Sequence, residues 1–114
     1  EGEIGGYTGA IWTGVTTYTL VKAMEQALKE NLTGLYNLVN NESINKYDLL
    51  ELFNTYFRAD EVKINPNDKL QLDKSLRRKR EDFSFVVPSY EQQVKEMREW
   101  VDAHPSLYTH YNLK

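Results

Sequence analysis

The sequence contains no cysteine, which excludes a disulfide framework and a thiol nucleophile. Proteins without disulfides are typical of reducing compartments, so we expect a cytoplasmic protein. Proline is scarce as well, with three residues in a chain of 114. A domain of this length buries roughly two-thirds of its unfolded surface, so we expect a modest core without covalent crosslinks.

Two further absences restrict the partners. No apolar run approaches the roughly 18 residues that a membrane helix needs, and no signal-like segment opens the chain. The formal net charge is -3, which argues against nucleic-acid binding through bulk charge. We therefore expect neither a membrane nor a nucleic acid as partner. The first residue is Glu1 rather than Met, which indicates a processed chain or a piece of a longer one.

Short apolar segments bounded by turn residues predict three strands. They are expected at residues 7–12, 35–39 and 62–64, and the polar residues 66–82 are expected to be irregular. Three helices alternate with these strands. The pattern predicts an α/β fold: a small lobe of about three helices and two or three short, largely parallel strands.

Each predicted helix follows a polar residue that can cap its free N–H groups. The capping residues are Thr16 or Thr17, Ser43 or Asn45, and Ser89. Apolar residues at helical spacing predict the face that each helix buries. For the first helix these residues are Leu20, Met24, Ala27 and Leu28, with Val21 beside them; for the third helix they are Tyr90, Val94, Met97 and Val101.

The segment YTLVK places Tyr18 and Lys22 four residues apart, the spacing of the catalytic Tyr-x-x-x-Lys pair in short-chain dehydrogenases. That pair works beside a dinucleotide, which requires a Gly-rich turn between a strand and a helix. Only 17 residues precede Tyr18, too few for a Rossmann unit of roughly 30 residues. We therefore interpret the pair as two neighbours on a helix surface. No catalytic or cofactor-binding residue is predicted, and the two histidines lack the companions that a metal site needs.

A basic run stands out in this acidic chain. Arginine and lysine side chains suit phosphate groups, so a nucleotide diphosphate is one candidate ligand. The alternative is a solvated loop that the two following acidic residues partly neutralise. Nucleic acid is disfavoured, because no aromatic residue interrupts the run to stack on bases. The run consists of Lys74, Arg77, Arg78, Lys79 and Arg80.

Three stretches, at residues 6–24, 34–53 and 73–100, share an order and spacing with one known family. Their most specific pieces are WTGVTT, then GLYNLVNNESINKYDLL, and then DKSL followed by DF and VPSYEQ. Together they resemble the C-terminal, substrate-binding part of dTDP-4-dehydrorhamnose reductases and related sugar-nucleotide reductases, which are extended short-chain dehydrogenases. The resemblance covers nearly the whole chain.

In members of that family, an N-terminal Rossmann domain binds NADP(H) or NAD(H) and carries the catalytic tyrosine and lysine. The C-terminal segments form a smaller lobe that closes over a nucleoside-diphosphate 4-keto sugar. This chain matches the second part alone. The resemblance thus implies that residues 1–114 are a single substrate-binding lobe of an oxidoreductase, without the Rossmann domain and inactive by itself.

The resemblance also implies substrate-binding residues. Trp12 either stacks on a base or sugar or packs in the core, and Thr16 either binds the ligand or caps its helix. A lysine and an arginine of the basic run would reach the diphosphate, although this chain lacks the commoner Arg-Pro form of that segment. The candidates are Trp12, Thr16, Lys74, Arg77 and Arg80.

Other functions stay open at this point. An epimerase or dehydratase would share the same lobe. A standalone α/β interaction module could bind an acidic partner through the basic run. Under the lobe hypothesis, faces that pack on a Rossmann domain would be apolar and exposed, so we also expect self-association.

Overall fold

The computed structural model describes residues 2–111, which form three strands, three α-helices and one short 3-10 helix. The elements are β1 (Glu3–Trp12), α1 (Thr17–Lys29), β2 (Ile44–Asn45), α2 (Lys46–Arg58), β3 (Lys63–Asp73), α3 (Tyr90–Ala103) and the 3-10 helix (Pro105–Leu107). The predicted α/β class with three helices is confirmed.

The sheet is mixed, with β1 in the centre of the order β2-β1-β3. β1 pairs in parallel with β3 along most of its length, from Glu3 opposite Lys63 to Ile11 opposite Asp73. It pairs with β2 in antiparallel orientation only at Ile11 and Trp12. The longer pairing is therefore parallel, as expected, while the two-residue β2 makes the sheet mixed.

Two of the predicted strand assignments are wrong. Residues 35–39 form no strand but an irregular segment, because the β1 edges pair with β2 and β3 instead. Residues 63–73 form β3, although most of them were expected to be irregular. Pro66 is tolerated there because β3 lies at the sheet edge, where one side of the strand needs no N–H donor. Parallel pairing with a strand about 60 residues away leaves no local pattern in the sequence.

The predicted helix starts are confirmed. The side chains of Thr16, Asn45 and Ser89 each accept a hydrogen bond from the backbone N–H three residues later. Each of these bonds is local, which is why a short sequence motif predicts it. The expected burial of the α3 stripe is largely confirmed too, since Tyr90, Val94 and Val101 are buried.

The predicted buried face of α1 is wrong. The residues that α1 buries fully are the small ones, Thr19 and Ala23, while Leu20, Met24 and Leu28 are 42%, 57% and 80% exposed. α1 packs against α3, and its Gln26 side chain donates to Ser84 Oγ. Small side chains allow this close approach, and the larger apolar ones consequently point outward.

The chain forms a thin slab rather than a sphere. Its extents are 46 × 39 × 18 Å and its Cα radius of gyration is 16.0 Å, against about 13 Å for a compact domain of this length. One side of the β1–β3 ribbon is covered by α2. Within residues 2–111, no helix is long and apolar enough to cross a membrane.

Candidate ligand-binding cleft

A cleft of about 360 Å³ lies where the C-terminal halves of β1 and β3 meet the start of α2. The parallel register runs to Ile11, whose carbonyl accepts a hydrogen bond from the Lys74 N–H at 2.9 Å. This bond places Lys74 beside Trp12, although 61 residues separate them in the sequence. Two of the five predicted substrate-binding residues therefore line one cleft.

Trp12 is held by its packing but keeps an open face. Its ring centroid lies 6.3 Å from that of Tyr90, with the two planes tilted by 36°. The ring also packs against the backbone of Gly14, where an added Cβ would overlap Trp12 Cζ2. The indole remains 40% exposed. Both alternatives for Trp12 thus have support, because a fixed indole with an exposed face is suited to stacking.

The lining of the cleft is apolar with a positive charge at its border. Aliphatic residues make up most of the wall, and Tyr7 adds a second aromatic ring. The charged residues that line the cleft are Lys46 and Lys74, and no carboxylate is among its described lining residues. A ligand with a planar ring and an anionic group fits this combination.

The N-terminus of α2 adds to the positive potential at the cleft. Asn45, the capping residue, lines the cleft together with Leu49 of the first helical turn. The N-terminal end of a 13-residue helix carries partial positive charge, which favours an anion nearby. Asp48 offsets part of this effect, since Asn45 donates to its carboxylate at 3.0 Å.

The other predicted arginines make internal contacts away from the cleft. Arg80 donates to both carboxylate oxygens of Asp82, at 2.9 and 2.6 Å, and to the carbonyls of Thr33 and Leu35. The hydrogen bonds from Arg80 lower the pKa of the Asp82 carboxyl. Arg77 donates to the carbonyl of Asn41 at 2.9 Å. Both arginines therefore join residues 33–41 to the basic run.

Thr16 likewise has a structural role. Its hydroxyl oxygen accepts from the Thr19 N–H, and its own N–H donates to the Gln93 side chain at 3.0 Å. Gln93 is 1% exposed and donates in turn to the Pro88 carbonyl. Thr16 does not line the cleft, and it joins α1 to α3 instead. The cleft residues that sequence reasoning missed are Tyr7 and Lys46, whose positions depend on the sheet register.

Tyr18 and Lys22 lie together on α1, as the helical interpretation predicts. The Lys22 ammonium lies over the Tyr18 ring, 5.7 Å from its centroid. Both residues line a larger groove of about 890 Å³ between α1, α2, α3 and the C-terminal segment. Aromatic side chains dominate this groove, including Trp100, and Lys22 is the lone cation among its described lining residues.

No Gly-x-Gly-x-x-Gly turn of the kind that binds a dinucleotide occurs among the described residues. The glycines at positions 5, 6 and 9 lie inside the extended strand β1, not in a turn leading into a helix. In the same residues, no group of three His, Asp or Glu side chains converges as a metal site would require. A scan of protein-family models, a search of curated proteins and a search of solved structures each found no match for the chain.

Proposed function

We propose that this chain is the substrate-binding lobe of an NAD(P)H-dependent reductase of nucleoside-diphosphate 4-keto sugars, similar to dTDP-4-dehydrorhamnose reductase, and that it is inactive alone. The observation that supports the proposal is that Trp12 and Lys74 line the same cleft. The resemblance in sequence assigns both residues to one ligand, and the fold brings them together although 61 residues lie between them in the sequence.

In this proposal the chain binds and orients the substrate. The open face of Trp12, with Tyr7 nearby, receives the base or sugar ring. Lys74 and Lys46 pair with the diphosphate, which the N-terminus of α2 also favours. The dinucleotide and the proton-transferring residues would belong to a separate domain, as the resemblance implies. Positioning and water exclusion are the contributions that such a lobe makes to the rate.

The thin shape of the chain is consistent with a lobe that packs on a larger body. The structure gives less support to the alternative, in which the chain is a module that binds an acidic partner through the basic run. Arg77, Arg78 and Arg80 donate to internal acceptors, which leaves fewer cationic groups to face a partner.

Titration of the chain with dTDP and UDP tests the proposal, with Trp12 fluorescence as the readout. The Trp100→Phe variant removes the second indole, so that the signal reports Trp12 alone. We expect saturable quenching by both nucleotides and no quenching by inorganic phosphate at the same concentrations. No saturable response to either nucleotide would contradict the proposal.

A matched pair of lysine variants locates the diphosphate. Lys74→Ala is expected to weaken nucleotide binding on the order of tenfold, because a charge-assisted hydrogen bond to phosphate is lost. Lys79→Ala is the control, since Lys79 is exposed in the same basic run but does not line the cleft. Equal effects of the two substitutions would indicate nonspecific attraction to the run instead of a cleft site.

Sequencing the gene upstream of the Glu1 codon tests the parent enzyme separately. The proposal predicts that the reading frame continues upstream into a Gly-rich βαβ unit.

A further inference from the structure

The outward face of α1 carries an apolar stripe made of Leu20, Val21, Met24 and Leu28. These side chains are between 42% and 80% exposed, although they form the continuous apolar face of an amphipathic helix. Monomeric proteins seldom expose a contiguous patch of this kind without a function for it. The stripe also adjoins the aromatic groove, because Val21 belongs to both.

We propose that the stripe is the contact surface between two copies of this chain, which pair through antiparallel α1 helices about a two-fold axis at Met24. The spacing of the stripe is self-complementary, as a two-fold interface requires. Leu20 precedes Met24 by four residues and Leu28 follows it by four. A two-fold rotation about an axis at Met24 therefore brings Leu20 of each copy into contact with Leu28 of the other.

This arrangement matches a common helix-packing mode. Leu20, Met24 and Leu28 form one ridge with a four-residue repeat, and such ridges from two helices interdigitate in the most frequent class of helix packing. No small residue or proline interrupts the ridge, so the side chains of one copy can fill the grooves of the other.

The available area is close to what a stable dimer needs. From their exposed fractions, the four stripe residues offer on the order of 450 Å² of apolar surface. Trp100 and Tyr111 at the border of the groove are 41% and 59% exposed and extend the patch. A standard interface buries about 800 Å² per partner, and the stripe with this aromatic border approaches that value.

The charges beside the stripe are compatible with the reversal. Lys22 and Glu25 line the groove on the same side of α1, three residues apart. A two-fold axis at Met24 places residue 22 of one copy opposite residue 26 of the other. Lys22 of each copy therefore lies next to Glu25 of the other copy. Opposite charges thus meet along the border, which favours this orientation over the parallel one.

Sedimentation of the purified 114-residue chain over a concentration series is the first test. A reversible dimer is expected. The Met24→Glu variant should raise the dissociation constant on the order of 100-fold or more, since two carboxylates would be buried at the axis. Val86→Glu is the control, because Val86 is 81% exposed outside α1 and should leave dimerisation unchanged. Circular dichroism verifies that both variants fold. A monomeric wild-type chain, as expected if a separate domain covers the stripe, would overturn the proposal.

Single cysteines test the register, which is straightforward in a chain that has none. Under mild oxidation, Met24→Cys should form a covalent dimer, because the axis brings the two sulfurs together. Leu20→Cys and Leu28→Cys should not crosslink separately, but an equimolar mixture of the two should. A chain that dimerises but gives no Met24→Cys crosslink would refute the α1 interface even though the dimer itself exists.

Discussion

Gly14→Ala probes the packing that positions Trp12 in the cleft. The new methyl carbon would overlap Trp12 Cζ2, so the indole must move away from the backbone. Gly14 has no positive φ that alanine would strain, and the entire cost therefore comes from this contact. The prediction isolates one contact between two residues.

The size of the effect follows from the buried part of Trp12. The side chain is 40% exposed and thus buries roughly 150 Å² of ring surface. At about 25 cal/mol per Å², that burial is worth up to about 4 kcal/mol. If the indole loses a third to a half of this burial, Gly14→Ala lowers the free energy of unfolding by about 1.3–2 kcal/mol, which is within the range measured for overpacked sites.

A double-mutant cycle with Trp12→Ala provides the assay. Urea unfolding of the four proteins is followed by circular dichroism, which does not depend on the indole. In the Trp12→Ala background, Gly14→Ala should change the free energy of unfolding by less than about 0.5 kcal/mol, so the coupling energy is about 1–2 kcal/mol. Gly5→Ala is the control, because a Cβ there meets no atom within 4 Å. An equal cost of Gly14→Ala in both backgrounds would refute the proposed position of the ring.

Two further predictions concern the contacts that hold the helices and loops. Gln93→Met removes the acceptor of the Thr16 N–H and the donor to the Pro88 carbonyl. The free energy of unfolding, measured in urea, should therefore fall by about 2–4 kcal/mol. The control is Gln92→Met, which should lower it by less than about 0.5 kcal/mol because Gln92 is exposed. Hydrogen bonds, first from the Ser84 hydroxyl and then from Gln26, lower the pKa of Glu30 in the folded state. The stabilising effect of this group is therefore present above its unfolded pKa and is lost as the pH falls through its folded pKa. Glu30→Gln should flatten the decline of stability in acid, measured by urea unfolding across a pH series, and an unchanged pH profile would contradict the assignment.

Part of the candidate cleft could be predicted from the sequence. Trp12 and Lys74 were both identified as ligand-binding candidates, because their residue types and the resemblance point to a ring and a phosphate. Their partners Tyr7 and Lys46 were missed. Between Tyr7 and Gly9 the register shifts, so that β3 advances four residues while β1 advances two. No pattern within either strand encodes that irregularity.

What the sequence determined by itself is the set of helix starts. Each cap at Thr16, Asn45 and Ser89 bonds to a backbone group three residues away, and its energy depends on those few residues alone. The direction in which α1 faces was decided by the tertiary structure. The apolar stripe predicts a buried face for α1, but the helix packs against α3 and buries the small side chains Thr19 and Ala23 instead. Likewise, β3 exists because β1 offers backbone partners about 60 residues away, and hydrogen bonds between distant segments form only when the whole chain has folded.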